Sequence, residues 1–194
     1  ELPLELAHLV SIAFAAFPEG HGQAHAELGY FLRERLVGYL RDAGYATQDV
    51  EAVVEARPAR WAEFPKRLDA VRAFKALPES QPLAAANKRV GNILKKSEGA
   101  VLARVDAALL HESAERALHD ALQAVAPGAE AAFAAGDYTA SLQGLAALKA
   151  PVDAFFDQVM VNADDAALRA NRLGLLATLH AAMNRVADLS RLAA

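Results

Sequence analysis

The balance between helix-forming and β-branched residues constrains this chain more than any motif in it. Alanine and leucine supply 74 of 194 residues, against 19 for valine, isoleucine and threonine together. Ala and Leu lose little freedom in a helix, whereas β-branched residues favour strands. An all-β or doubly wound α/β fold is therefore excluded. With 54% hydrophobic and 23% charged residues, the chain has enough apolar surface to fold rather than stay disordered. No apolar run approaches the ~20 residues of a membrane span. There is no cysteine, which removes disulfides, thiolate catalysis and Cys-ligated zinc and fits a cytoplasmic protein. The first residue is Glu1 and no signal-peptide pattern follows it, so the chain is expected to be part of a longer one.

Helical periodicity runs almost throughout. Leu2, Leu6, Leu9, Val10, Ala13, Phe14 and Phe17 form one stripe, ending at Pro18-Glu19-Gly20. Leu28 to Leu40 carries the next, ending at Gly44. Thr47 has the chemistry of an N-cap for a short helix through Val54. Further stripes run from Phe64 to Leu77, from Leu83 to Leu94 and from Leu110 to Val125. Pro127 either opens a new helix or interrupts a continuous one. Asp137 caps the helix of Leu142 and Leu148, Pro151 starts another, and Asp164 or Asp165 caps a long last helix. The expected fold is an all-α bundle of about eight to ten helices.

The net charge of −4 hides an asymmetry. From Arg57 to Arg104, 11 basic residues face 4 acidic ones, a balance of +7; the remainder carries −11. A basic segment in an acidic chain marks either an anion-binding surface or a solvated helical face. The segment from Leu83 to Lys96 separates these faces. At about 100° per residue, Leu83, Ala86, Val90, Ile93 and Leu94 cluster on one side. Lys88, Asn92, Lys95 and Lys96 lie opposite, with Arg89 at the edge. Cations hold phosphates without reading sequence, and amides pair with unstacked bases. The pattern suits single-stranded RNA.

Catalytic and metal motifs are not found. His21 and His25 have ligand spacing but no third partner, and glycines flank His21. His119-Asp120 has the order of a metal phosphohydrolase pair without the rest of that motif. There is no phosphate-binding loop, nucleophile elbow or His-Glu-x-x-His. No catalytic residue and no metal site is assigned. Trp61, Phe64, Phe155 and Phe156 are read first as core, with base stacking as the alternative. Arg172 falls at the angle of Leu168, Leu175 and Leu179, the buried side, and so needs a carboxylate. Asp153 and Asp157, on the preceding helix, are the expected partners.

Several segments together resemble the bacterial glycyl-tRNA synthetase β-subunit family. They are Leu83-Ala-Ala-Ala-Asn-Lys-Arg-Val90 with Asn92-Ile-Leu-Lys95, Pro151-Val-Asp-Ala-Phe-Phe-Asp157, and Asp164-Asp165 with Leu168-Arg169 and Asn171-Arg172-Leu173. Val186-Ala-Asp-Leu-Ser190 also fits, whereas the match from Glu1 to about Gln48 is loose. The resemblance implies the C-terminal region of that subunit. It implies an anticodon-binding domain over residues 81–194, named after an Asp-Ala-Leu-Arg motif, preceded by a helical region over 1–80. Asp165-Ala166-Ala167-Leu168-Arg169 holds the motif's place with one extra Ala.

By the same resemblance, the parent enzyme is a glycine-tRNA ligase that joins glycine to tRNA(Gly) with ATP and magnesium. That chemistry would lie on a separate α subunit of a heterotetramer, leaving this chain with tRNA recognition and no membrane or DNA partner. Lys88, Arg89, Lys95 and Lys96 are then expected to hold phosphates, and Asn87 and Asn92 to read bases. For Arg169 and Asn171, structural and RNA-contact roles stand side by side. A helical interaction module contacting a partner subunit is the alternative function; a free-standing enzyme lacks a nucleophile–base pair to support it.

Overall fold

The computed structural model describes residues 4–18, 24–97 and 99–193. Among them are nine α-helices: α1 (Leu6–Ala15), α2 (His25–Asp42), α3 (Thr47–Glu55), α4 (Phe64–Lys75), α5 (Ser80–Lys96), α6 (Ser113–Ala134), α7 (Tyr138–Gly144), α8 (Lys149–Gln158) and α9 (Ala166–Met183). Short 3₁₀ turns join some of them, the last at Leu189–Leu192. The described residues form no β-strand; an isolated antiparallel bridge pairs Glu5 with Arg60. No described helix is long and apolar enough to cross a membrane. The all-α expectation holds.

The helix ends follow local chemistry, with exceptions. Asp137 accepts a hydrogen bond from the Ala140 amide at 2.9 Å, capping α7 as expected. At α9 the cap is Asp165, whose carboxylate accepts from the Ala167 and Leu168 amides at 2.7 and 3.0 Å. These bonds hold the Asp165 pKa below the usual carboxylate value. Thr47 does not cap α3: Ala46 occupies the N-cap and Thr47 begins the first turn. Gly44 ends α2 with φ of 89°, a left-handed conformation that suits glycine. Pro127 lies inside a continuous α6. It deprives the Gln123 carbonyl of its helical donor, and both residues are exposed, so water can replace that donor.

One apolar core runs through the chain from α2 to the final 3₁₀ turn. Phe74 and Leu68 of α4, Leu83 of α5, Leu118 of α6, Leu142 of α7, Phe155 of α8 and Leu175 of α9 are all buried in it. Phe64 is buried as well, with Trp61 edge-on to it at 6.5 Å. Residues on both sides of position 80 therefore share this core. Arg67 crosses it as a buried cation. Its guanidinium donates to the Arg185 and Val186 carbonyls at 2.8 and 3.0 Å and to Glu63 at 2.8 Å. It also stacks over Tyr138 at 4.7 Å. α1 contributes nothing to the core: none of its residues is buried.

Gly174 marks a close approach of backbone to helix. A Cβ there would collide with the Arg104 carbonyl oxygen, so the segment before α6 lies directly on α9. Gly174→Ala is expected to destabilise the fold by about 1–3 kcal/mol through overpacking. Urea unfolding checks this; a midpoint equal to wild type would show that the segment can move away at no cost.

Candidate nucleic-acid interface

α5 has two faces of opposite character. Leu83, Ala84, Asn87 and Val90 are buried. Lys88, Arg89, Asn92, Lys95 and Lys96 are exposed, as the wheel predicted. Among the described residues, Lys88, Asn92, Lys95 and Lys96 form no side-chain hydrogen bond or ion pair. That separates them from Arg41, Lys75, Lys149, Arg185 and Arg191, each of which holds a carboxylate. Lys95 and Lys96 also close the last turn of α5, where cations oppose the negative end of the helix dipole. Arg89 is anchored differently: its guanidinium lies 4.1 Å from the centre of the half-buried Phe156 ring. Phe155 beside it is core.

Asn87, expected to read bases, and Asn171, for which a structural and an RNA-contact role stood side by side, are not on this surface. Asn87 is fully buried and pairs with Asn184 at the end of α9, in reciprocal amide bonds of 2.9 and 3.0 Å. Asn184 also donates to the His180 carbonyl at 2.7 Å and accepts from the Leu189 amide at 3.1 Å. The physical reason is position: Asn87 lies four residues after Leu83 and three before Val90, on the packed stripe. Asn171 is likewise buried. Its amide accepts from the Asp106 N–H at 2.7 Å and donates to the Asp106 carbonyl at 3.1 Å, copying a strand-like pairing. It fastens the segment before α6 to α9, three residues from Gly174.

Arg169 has a bracing role. Its guanidinium donates to the Ala163 carbonyl at 2.6 Å, pinning the segment between α8 and α9. A groove of about 720 Å³ lies beside it, between the C-terminal turn of α5 and the first half of α9.

Arg172 is buried and paired, but not with the expected residues. It bonds to Glu115, which is fully buried, and to Glu112 at 3.0 Å, both at the start of α6, and to the Met160 carbonyl at 2.7 Å. The other Glu115 oxygen accepts the Glu112 amide at 2.8 Å, so one carboxylate serves a helix cap and an ion pair. Asp153 instead meets Lys149 at 2.7 Å, and Asp157 is exposed at the end of α8. The tertiary packing of α9 on α6 decided the partners, which lie 57 and 60 residues away in sequence.

Among the described residues, the histidines do not assemble a centre. His25 stacks on Phe14 at 3.8 Å; His21 lies outside the described residues. His119 faces its neighbour Asp120 at 3.5 Å. His180 is half-buried against Gly91 of α5. Burial holds its pKa below the usual 6.5, Asp188 opposes this and Lys95 adds to it.

Residues 83–189 match the DALR anticodon binding domain family. Over its whole length the chain is 65% identical to a glycine–tRNA ligase beta subunit from Leptothrix cholodnii, covering 27% of that protein. It is 64% identical over its whole length to the beta subunit from Thiobacillus denitrificans, covering 28% of it. The beta subunit from Methylobacillus flagellatus is 62% identical over 90% of the chain, which covers 25% of that relative. The chain thus spans little more than a quarter of the curated relatives it matches.

Arg172→Ala would leave the Glu115 carboxylate buried without its counter-ion. A loss of about 3–5 kcal/mol is expected in urea unfolding. A loss below about 1 kcal/mol would mean that the pair is solvated. His180 supplies a second test. Its folded pKa is lower than its unfolded one, so protonation favours the unfolded chain and stability falls as pH drops through the unfolded value. The urea midpoint should decrease from about pH 7 to about pH 5, and less so in His180→Gln. An identical decrease in both proteins would assign it to other groups.

Proposed function

The chain belongs to the DALR anticodon binding domain family, and from that premise we propose that it recognises glycine tRNA through the exposed face of α5. The observation that carries the proposal is the row of uncommitted cations and the amide: Lys88, Asn92, Lys95 and Lys96, with Arg89 beside them. A stripe without acidic partners among the described residues is suited to neutralise a phosphate backbone. Its amide can meet an unstacked base, as single-stranded loops present them. The chain's net charge of −4 does not oppose this, because the acidic residues lie mostly outside the basic segment.

In this proposal the chain selects tRNA, and the ATP- and magnesium-dependent attachment of glycine takes place on an α subunit within a cytoplasmic heterotetramer. The relatives' designation as beta subunits supports a division of labour of this kind. A second reading, contact with another polypeptide, draws on a different surface. Leu9 and Ile12 of α1 and Tyr30, Phe31 and Tyr39 of α2 are exposed apolar side chains. Larger apolar patches of this sort mark interaction sites. The two readings use different helices and are compatible.

Binding of glycine tRNA to the full-length polypeptide tests the main proposal. Lys88→Ala combined with Lys95→Ala should weaken binding. It should also flatten the dependence of log affinity on log salt by roughly 0.7 per lost phosphate contact. Lys149→Ala, whose cation is already paired with Asp153, should behave as wild type. Unchanged affinity and slope in the double variant would refute the α5 face.

A further inference from the structure

The groove between α5 and α9 is built unlike the phosphate-binding row beside it. Its floor is apolar: Ile93 of α5 and Leu173 of α9 are half-buried and Ala170 is exposed between them. Its rim carries Lys96, Asn162 and Arg169. The Lys96 ammonium and the Asn162 carboxamide have no partner among the described residues. Arg169 is committed to the Ala163 carbonyl, and Arg172 holds the Met160 carbonyl from below. The short segment bearing Asn162 is thus tied down on both sides of that residue. An uncommitted amide on a braced loop, above an apolar floor and next to a free cation, defines a ligand class. The ligand is flat and apolar on its face, has donors or acceptors at its edge, and carries an anion.

An unstacked nucleotide has all three features. Bases of single-stranded loops are bound by apolar or aromatic contact on their faces and hydrogen bonds on their edges. A volume of about 720 Å³ lies within the range of small-ligand clefts and exceeds one base. We propose that this groove receives one nucleobase of the anticodon loop. Its face lies on Ile93 and Leu173, its edge meets the Asn162 carboxamide, and its phosphate meets Lys96. Asn162 is then a specificity-determining residue, because a carboxamide offers both a donor and an acceptor at fixed places. Arg169 is a positioning residue that acts through the loop. This rests on the RNA-binding proposal above and adds to it a place where a base, rather than a phosphate, is read.

The test measures binding of glycine tRNA to the full-length polypeptide, with the base removed at each anticodon-loop position in turn. Ala170→Leu fills the groove from an exposed helical position, and Asn162→Ala removes the amide. For the wild-type protein, removal of one particular base should cost roughly tenfold in affinity. Ala170→Leu should bind intact tRNA about tenfold more weakly and lose nothing further when that base is absent. Asn162→Ala should lower affinity while leaving the salt slope unchanged. Wild-type affinity in both variants, with the abasic penalty retained, overturns the groove assignment. The Lys88→Ala, Lys95→Ala variant separates the two proposals, since neither lysine lines the groove. If it too binds like wild type, the α5 face itself fails. If it alone is weakened, only the base site fails.

Discussion

A buried guanidinium organises this fold. Arg172 reaches the interior of the bundle, where an unpaired charge would cost several kcal/mol. Each of its three nitrogens donates: Nε to Glu115 and Nη2 to Glu112 at the start of α6, and Nη1 to the Met160 carbonyl after α8. The pairing fixes the position of α9 against α6. It also fixes the course of the segment between α8 and α9. Arg169 and Asn171 extend the same device by one turn, each holding a loop through backbone carbonyls or amides. One stretch of α9 therefore braces the loops on either side of it, and the groove beside α5 exists because they are braced.

The surface chemistry follows from how the interior is satisfied. α5 turns toward the core a stripe with two polar members: Ser80 donates to the Lys75 carbonyl, and Asn87 forms a closed amide pair with Asn184. Lys88, Lys95 and Lys96 lie outside, with no ion-pair partner among the described residues. Arg67 and Arg172, by contrast, are cations that the core consumes, and neither is available to a ligand. Within the basic segment, Arg67 and Lys75 are thus committed to structure, whereas Lys88, Lys95 and Lys96 hold no carboxylate among the described residues.

Much of this was legible in the sequence. Helical periodicity located the elements, and the wheel placed Lys88, Asn92, Lys95 and Lys96 on the open face. The burial of Arg172 was visible from its angle among leucines. Its partners were not, because Glu112 and Glu115 belong to a helix that only tertiary packing brings near. Asn87 was misassigned although its spacing from Leu83 and Val90 carried the answer; its polarity was given more weight than its position. Asn162 was missed for a different reason. It lies on a loop, where no periodicity exists to mark it, and it gains meaning only from the carbonyls held on either side. Thr47 shows the limit of capping chemistry, since the helix begins one residue earlier than its hydroxyl suggests.

Lysine reactivity in the full-length polypeptide, measured by mass spectrometry with and without glycine tRNA, tests the central claim most directly. The account predicts that tRNA protects Lys88, Lys95 and Lys96 and leaves Lys149 as reactive as before. Equal reactivity of the α5 lysines in the free and bound states would contradict it.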